Sequence, residues 1–359
     1  MRSMIVRASV LAVAIAFVTL SAAACCSVGA VAKKPFVGDV TIAADGSVVP
    51  ANAPIRAVDG VYFLQKDMDG TVYVLKDDIV LDGNGYSIVD IDGTEQDYGV
   101  KLEGRSGVTV RNLSVSGTLI GVDLVECQDC TVAESVFEGN TESVRSIYSK
   151  GLAVIGNTVL DTESWAISIG IGYGGDVVSD NVVDGANFGI WVDSEQALIE
   201  RNIVTDCGYG ISLVSSFNSW NSVVSDNEVS CGPYSIGIWI SGVYYAQVEG
   251  NVLHNNGHGI WGFGAIGCDI TGNEISGGDI GVILEASYDC RTFGNDFVRN
   301  KMHAVCDRDS LGNVWDDGAR GNYWSQYDGV DENLDGVGDT PYVIDEDDLD
   351  RYPLMDPVA

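Results

Sequence analysis

Basic residues are scarce in this chain. Nineteen Lys and Arg stand against 52 Asp and Glu in 359 residues, a formal net charge of −33. Nucleic acids and anionic lipid surfaces are held by clustered Lys and Arg, so the balance argues against both as partners. Histidine is scarcer still: His254, His258 and His303, with five methionines and no His- or Met-rich cluster of the kind soft metals favour. Long apolar runs are confined to the first residues, and no later stretch is long enough to cross a bilayer. What remains fits a soluble exported protein whose acidic surface serves solubility.

The opening residues read as a targeting segment. Arg2 and Arg7 precede an apolar run from Ala8 to Leu20, followed by Ser21 and three alanines. That is the order of a secretory signal, and the run is short for a spanning anchor. Cys25 follows the alanines, but Ala22 stands where a lipoprotein site would have Leu. The expected organisation is a signal and leader over 1–32, a linker over 33–60, a repeat region over 61–310 and a C-terminal cap over 311–359.

What the chain has in abundance is a repeat. A phrase of the form Gly-Ile-x-hydrophobic, then Asn-x-Val, recurs every 21 to 25 residues. Its asparagines are Asn112, Asn157, Asn181, Asn202, Asn227, Asn251, Asn273 and Asn295, with Ser135 standing in once. Its small residues run from Gly99 and Gly121 through Gly210 to Gly281 and Ala304. A period of this size means stacked units. Three short β-branched runs per period, separated by Gly, Asn and Asp corners, describe one coil of a parallel β-helix. Leucine-rich repeats have similar length but need regular Leu spacing, which is missing. About ten coils are expected, with both ends capped because open ends expose strand edges. The asparagines are read as structural, tolerating left-handed corners and bonding to the Asn of the next coil. Asn112-Leu113-Ser114 matches a glycosylation acceptor but is placed in this same structural column.

Two stretches resemble a known family. The tail Gly321-Asn-Tyr-Trp-Ser-Gln-Tyr-Asp-Gly, then Asp335-Gly-Val-Gly-Asp-Thr-Pro-Tyr, then Asp350-Arg-Tyr-Pro-Leu-Met, looks like the closing signature of NosD-type β-helix proteins. Ile79-Val-Leu-Asp-Gly-Asn-Gly-Tyr-Ser-Ile resembles their opening coil. The resemblance spans Val61 to Met355 and implies an all-β, right-handed single-stranded parallel β-helix of the pectate-lyase type. Many such chains look like exported surface proteins of archaea. A role in copper delivery goes with the family name, but a solenoid hosts many functions.

Two departures from the period are candidate sites. If Ile points inward in Gly-Ile-x-hydrophobic, x points outward. Down the coils, x reads Lys101, Asp123, Ser168, Trp191, Ser212, Trp239, Trp261, Ile283 and Cys306. Trp191, Trp239 and Trp261 are therefore expected to form an outward row suited to a polysaccharide, unless tail residues Tyr323, Trp324 and Tyr327 cover it. A second column before each small residue (Tyr98, Trp165, Phe188, Tyr209, His258, His303) is read as corner stacking. The acidic loop places oxygen ligands at Asp331, Asn333, Asp335 and Asp339, with the Val337 carbonyl between and Gly336 at the sharp turn. That pattern suits a structural calcium ion, although Tyr342 replaces the bidentate Glu of an EF-hand.

No catalytic residue is assigned. Asn256-Gly-His258-Gly resembles a polygalacturonase motif without its companions, and the basic residues form no evident cluster. Cys127 and Cys130 are a lone Cys-x-x-Cys pair. Cys268 with Cys290, and Cys207 with Cys231, are expected as stacked, buried free thiols. The leading expectation is an exported β-helix protein with a structural or binding role at the cell surface. A carbohydrate-active enzyme and a copper-site accessory are the alternatives.

Overall fold

The computed structural model describes residues 34–90, 98–216 and 220–358. The proposed signal and Cys25 lie outside the described residues. Among the described residues every regular element is a β-strand, and none forms a helix long and apolar enough to cross a membrane.

The strands stack coil upon coil into the expected right-handed parallel β-helix. Each coil has three faces. Face one carries the Gly-Ile phrase and runs from Val72–Val74 through Tyr98–Glu103 and Ile236–Ser241 to Met302–Cys306. Face two runs from Val61–Leu64 through Thr109–Arg111 to Arg291–Phe293. Face three follows the Asn position, from Ser87–Val89 through Val136–Glu138 to Asp296–Val298. In the central coils, Thr158–Gly172, Val182–Ser194 and Ile203–Val214 run through the corner between faces three and one without a break.

Alternation builds the core. On face one Val122 and Leu124, or Ile238 and Ile240, point inward and are buried. Leu81 to Ile270 on face two and Ile88 to Phe297 on face three complete it. Most of these residues are β-branched or Leu, which suits a pleated surface buried against two others. Residues 36–58, expected as a linker, add strands at the N-terminal end. Val40–Ile42 pairs in parallel with Val72–Val74, and Ile55–Val58 folds back antiparallel on Val61–Leu64.

The asparagines form a continuous buried column, Asn157, Asn181, Asn202, Asn227, Asn251, Asn273 and Asn295. From Asn181 onward, Oδ1 accepts the backbone N–H and the side-chain amide of the preceding coil's asparagine, while Asn157 Oδ1 accepts the N–H of Ser135. Asn202 Oδ1, for example, takes Asn181 N and Nδ2, both at 3.0 Å. The amide of Asn202 in turn donates to Val178 O and Asn227 Oδ1, both at 2.9 Å. The sharp corner itself falls one residue earlier than expected. Asp180, Arg201 and Asp226 take left-handed φ of 58°, 53° and 53°, with Gly156, Gly250, Gly272 and Gly294 in the same place. Asn112, at φ 49°, belongs to this exposed corner set and not to the column. Leu113 holds the column position, its N–H donating to Ser135 Oγ at 3.2 Å.

Register also moves three other assignments. His303, not Ala304, follows Gly281 in the small-residue column, and Met302, not His303, ends the aromatic column. Val305, not Cys306, continues the x column. The column also gains Arg145, from a coil that lacks the Gly-Ile phrase.

The repeat does not stop near Asp309. Val314 bridges to Arg291, and Tyr323–Trp324 pairs with Asp296 and Phe297 as one more strand of face three. Trp324 lies flat between Phe297 and Tyr342, with centroids at 4.4 and 4.3 Å and planes within 9°. The tail thus seals the end of the core, and Trp324 is not laid over the tryptophan row.

Candidate functional site

Face one brings two outward columns side by side. In the x column, Trp191, Ser212, Trp239 and Trp261 occupy successive coils, and all three tryptophans are half-buried. In the neighbouring column, Trp165, Phe188 and Tyr209 stack along the rod, with centroids 5.5 and 4.8 Å apart and planes within 15°. Those rings spend their faces on one another. Trp191 meets Phe188 edge-on at 82°, and Trp239 tilts against Tyr209 at 43°. Trp191 and Trp239 lean together over Ser212, centroids 6.3 Å apart at 75°. Ser212 is wholly buried beneath them, and its hydroxyl has no partner among the described residues. Trp261 donates Nε1 to Glu285 at 3.2 Å. The three tryptophans share one strip of surface, but Trp191 and Trp239 stand across each other instead of lying coplanar.

The same strip ends in a charge cluster that the sequence did not disclose. Lys101, Asp123 and Arg145 are register neighbours. Arg145 Nε donates to Asp123 Oδ1 at 3.0 Å and reaches Glu142 at 4.0 Å. Asp123 is fully buried although it points outward, and its Oδ2 has no partner among the described residues. Lys101 lies 4.4 Å over the Tyr98 ring. Burial pushes the Glu142 carboxyl up, Arg145 draws it back, and Asp123 adds to the rise. Burial works against the Arg145 cation, but the Asp123 bond and both carboxylates outweigh it. The signal lay in Glu142-Ser-Val-Arg145, a coil whose missing glycine hid it from the repeat phrase.

A further aromatic ridge went unread. Trp220, Tyr244, Ile266, Tyr288 and Leu311 bridge coil to coil at one corner, with Trp220 stacked on Tyr244 at 5.1 Å.

The acidic loop folds on itself. Asp331 Oδ2 accepts the N–H of Gly336 at 2.9 Å, Asn333 Oδ1 that of Asp335 at 3.0 Å, and Asp335 Oδ1 that of Val337 at 2.9 Å. Asp339 Oδ2 takes the N–H of Glu332 at 2.7 Å. Among the described residues, no three His, Cys, Asp or Glu side chains converge closely enough to hold a metal.

Copper finds no multidentate soft-donor set there either. His254 Nδ1 is 2.6 Å from Ser276 Oγ, and His258 packs edge-on against Trp261. His303 is buried beside Phe297 and Trp324, and burial alone lowers its pKa to about 4. The seven described cysteines are free and buried. Their Sγ atoms lie against backbone carbonyls, Cys127 to Val125 O at 3.4 Å, Cys207 to Thr205 O at 3.2 Å and Cys290 to Tyr288 O at 3.6 Å. The neighbouring thiols of Cys130, Cys231 and Cys268 together with burial hold Cys127, Cys207 and Cys290 far above the ordinary thiol range.

Comparison with known proteins points in one direction for family. The model of the periplasmic copper-binding protein (NosD) family matches residues 61–221 and 214–329. The chain is similar to the "Probable ABC transporter binding protein NosD" of Stutzerimonas stutzeri, 32% identical over 126 residues. That alignment covers 34% of this chain and 28% of the relative. Its Pseudomonas aeruginosa counterpart is 37% identical over 91 residues, covering 24% and 20%. The chain therefore spans under a third of the length of the curated relatives it matches. Among solved structures, a mutant of the periplasmic alginate epimerase AlgG aligns with TM-score 0.54 and 14% identity, covering 77% of this chain and 81% of that one. The catalytic domain of a GH87 alpha-1,3-glucanase, solved with tetrasaccharides, aligns at 0.51 and 10%, covering 79% and 65%. At these identities the structural likeness shows the fold alone.

Proposed function

We propose that this chain, which belongs to the NosD family of periplasmic β-helix proteins, is an exported protein that recognises polysaccharide along face one. The observation that carries the reading is the half-buried Trp191–Trp239–Trp261 strip, uncovered by Trp324, which seals the rod's end. Tilted aromatic edges and Glu285 give a sugar both apolar contact and a hydrogen-bonding partner. The fold is also that of an epimerase and a glucanase that act on glycans. The test is a glycan array and calorimetry with the mature protein and its Trp191→Ala, Trp239→Ala and Trp261→Ala variants. Binding that weakens at least tenfold in the variants supports the reading. An empty array, or variants that bind unchanged, removes it.

A second reading is a carbohydrate-active enzyme, favoured by the Asp123–Arg145–Glu142 cluster at the end of the same strip. A half-buried carboxyl that burial raises, set beside a second carboxylate, is a common arrangement for glycan acid–base chemistry. Turnover of glycans found on the array, lost in Glu142→Gln, would establish it, and intact polymer after long incubation removes it. A copper-site accessory role has the family description in its favour and no described cluster of soft donors. Tight copper binding by the mature chain is its test. A structural calcium ion in the Asp331–Asp339 loop stays part of the reading. Asp331, Asn333 and Asp335 would have to exchange their amide partners for the ion. Calorimetric titration with no calcium heat, or a cap whose stability in calcium is unchanged by Asp335→Ala, removes it.

A further inference from the structure

We infer that Asn112 is an N-glycan acceptor. Asn112-Leu113-Ser114 is the one Asn-x-Ser/Thr sequence in the chain. The column asparagines, one residue further along each coil, are consumed by the fold: Asn181, wholly buried, donates from Nδ2 to Val154 O at 2.8 Å and to Asn202 Oδ1 at 3.0 Å. Asn112 is exposed at the left-handed corner, because Leu113 takes the column place. Among the described residues its amide nitrogen reaches only Asp82, at 3.4 and 3.5 Å, beyond the range of a strong hydrogen bond. Asp82 is already taken by Arg111 Nε and Asn84 N, both at 2.9 Å. The amide is thus available without cost to the fold.

The surroundings suit an attached sugar. Asn112 borders an open hollow of about 520 Å³ lined by Phe63, Tyr86, Asn84, Ser114 and Glu134. A first sugar on Asn112 would meet aromatic carbon of Phe63 and Tyr86 and the amide, hydroxyl and carboxylate groups of Asn84, Ser114 and Glu134. In the transfer, Asn112 Nδ2 bonds to C1 of a lipid-phosphate-linked oligosaccharide. The C1–O bond to the phosphate breaks, the electron pair leaves with the carrier phosphate, and one amide proton is lost to base. Ser114 supplies the hydroxyl that the transferring enzyme reads.

The test is mass spectrometry of the full chain purified from its own cells. Trypsin cuts after Arg111, so Asn112 opens its peptide. The expected result is a glycan mass on that peptide, lost in Asn112→Gln and Ser114→Ala and kept in Ser114→Thr. Thermal unfolding of each variant separates loss of the acceptor from loss of the fold. An unmodified Asn112 peptide from the native protein, or a glycan that persists in a folded Ser114→Ala variant, overturns the inference.

Discussion

Asp350 Oδ2 accepts the backbone N–H of Asn322 at 2.7 Å. Asn322 Oδ1 accepts the N–H of Asn295 in the same way at 3.1 Å, as each column asparagine does for the coil before it. An aspartate therefore closes the asparagine column. It also takes Trp324 Nε1 at 2.8 Å and Tyr352 N at 3.0 Å, and it is wholly buried. The tail segment Asp350-Arg351-Tyr352 is thus the last rung of the repeat. Arg351 anchors it by a bidentate pair with buried Asp316.

Burial, opposed by those three bonds, raises the Asp350 pKa to about 6 from 3.8. A carboxyl whose folded pKa lies above its unfolded one stabilises the fold at low pH, and that contribution is lost as pH rises through 6. The shift corresponds to about 3 kcal/mol. Asp350→Asn removes the titration. Chemical unfolding from pH 4 to 7 should give the variant a more upward slope than the parent. Parallel slopes in the two proteins would dismiss Asp350 as a titrating rung.

His303 carries the opposite sign in the same window. Burial depresses its pKa to about 4 from 6.5, so its contribution is full above 6.5 and is lost as pH falls towards 4. The size is again about 3 kcal/mol. His303 packs 6.1 Å from Trp324, whose indole holds Asp350, so both effects act on one cap. In the parent they offset. His303→Gln should unmask a stability that falls from pH 4 to 7, and Asp350→Asn one that rises. A parent with a steep slope that His303→Gln leaves unchanged contradicts this balance.

The repeat was legible because its inward apolar residues alternate over many coils with few exceptions, such as Ser146 and Thr292, and a register built on Ile190, Ile211 and Ile238 is hard to misplace. Failures came where one residue of slip costs nothing in pattern. Asn112 resembles a column asparagine in type, yet the column is defined by burial, and Leu113 is the buried one. His303 and Ala304 differ in size, and the smaller looked right. The C-terminal rod end takes His303 because Phe297 and Trp324 give its ring a place. The Asp123–Arg145 pair was hidden because the partners come from different coils, one of which lacks the phrase. The tilt of Trp191 over Ser212 depends on rotamers, which no spacing encodes.

The column register is open to a direct comparison. Asn202→Ala strips two donors and two acceptor bonds from a fully buried site, leaving Asn181 N, Val178 O and Asn227 Oδ1 short of partners. Each buried group left unpaired costs about 1–3 kcal/mol, so a loss of at least ~3 kcal/mol is expected in urea unfolding. Asn112→Ala, at an exposed corner, should fall near the ~0.5–1 kcal/mol of a lost left-handed preference. Equal losses at the two positions would return Asn112 to the column.

Glycine in the small-residue column answers to space and not to backbone freedom. Gly210 is not left-handed, so an entropic argument alone has Gly210→Ala stabilising by about 0.4–1 kcal/mol. The geometry says otherwise. A Cβ there would sit 2.6 Å from Gly237 O and 2.6 Å from Val229 Cγ1, and 3.2 Å from Cys231 Sγ. The first contact is backbone held by two coils and has nowhere to move. Overpacking of this kind costs about 1–3 kcal/mol. Ala166 occupies the same column two coils earlier, next to Gly189, where the stack has room for its methyl. Unfolding midpoints should therefore drop for Gly210→Ala and fall only slightly for Ala166→Gly. A Gly210→Ala protein more stable than its parent would mean that the coils can part at this corner, and that the column's glycines are not what sets the approach of one coil to the next.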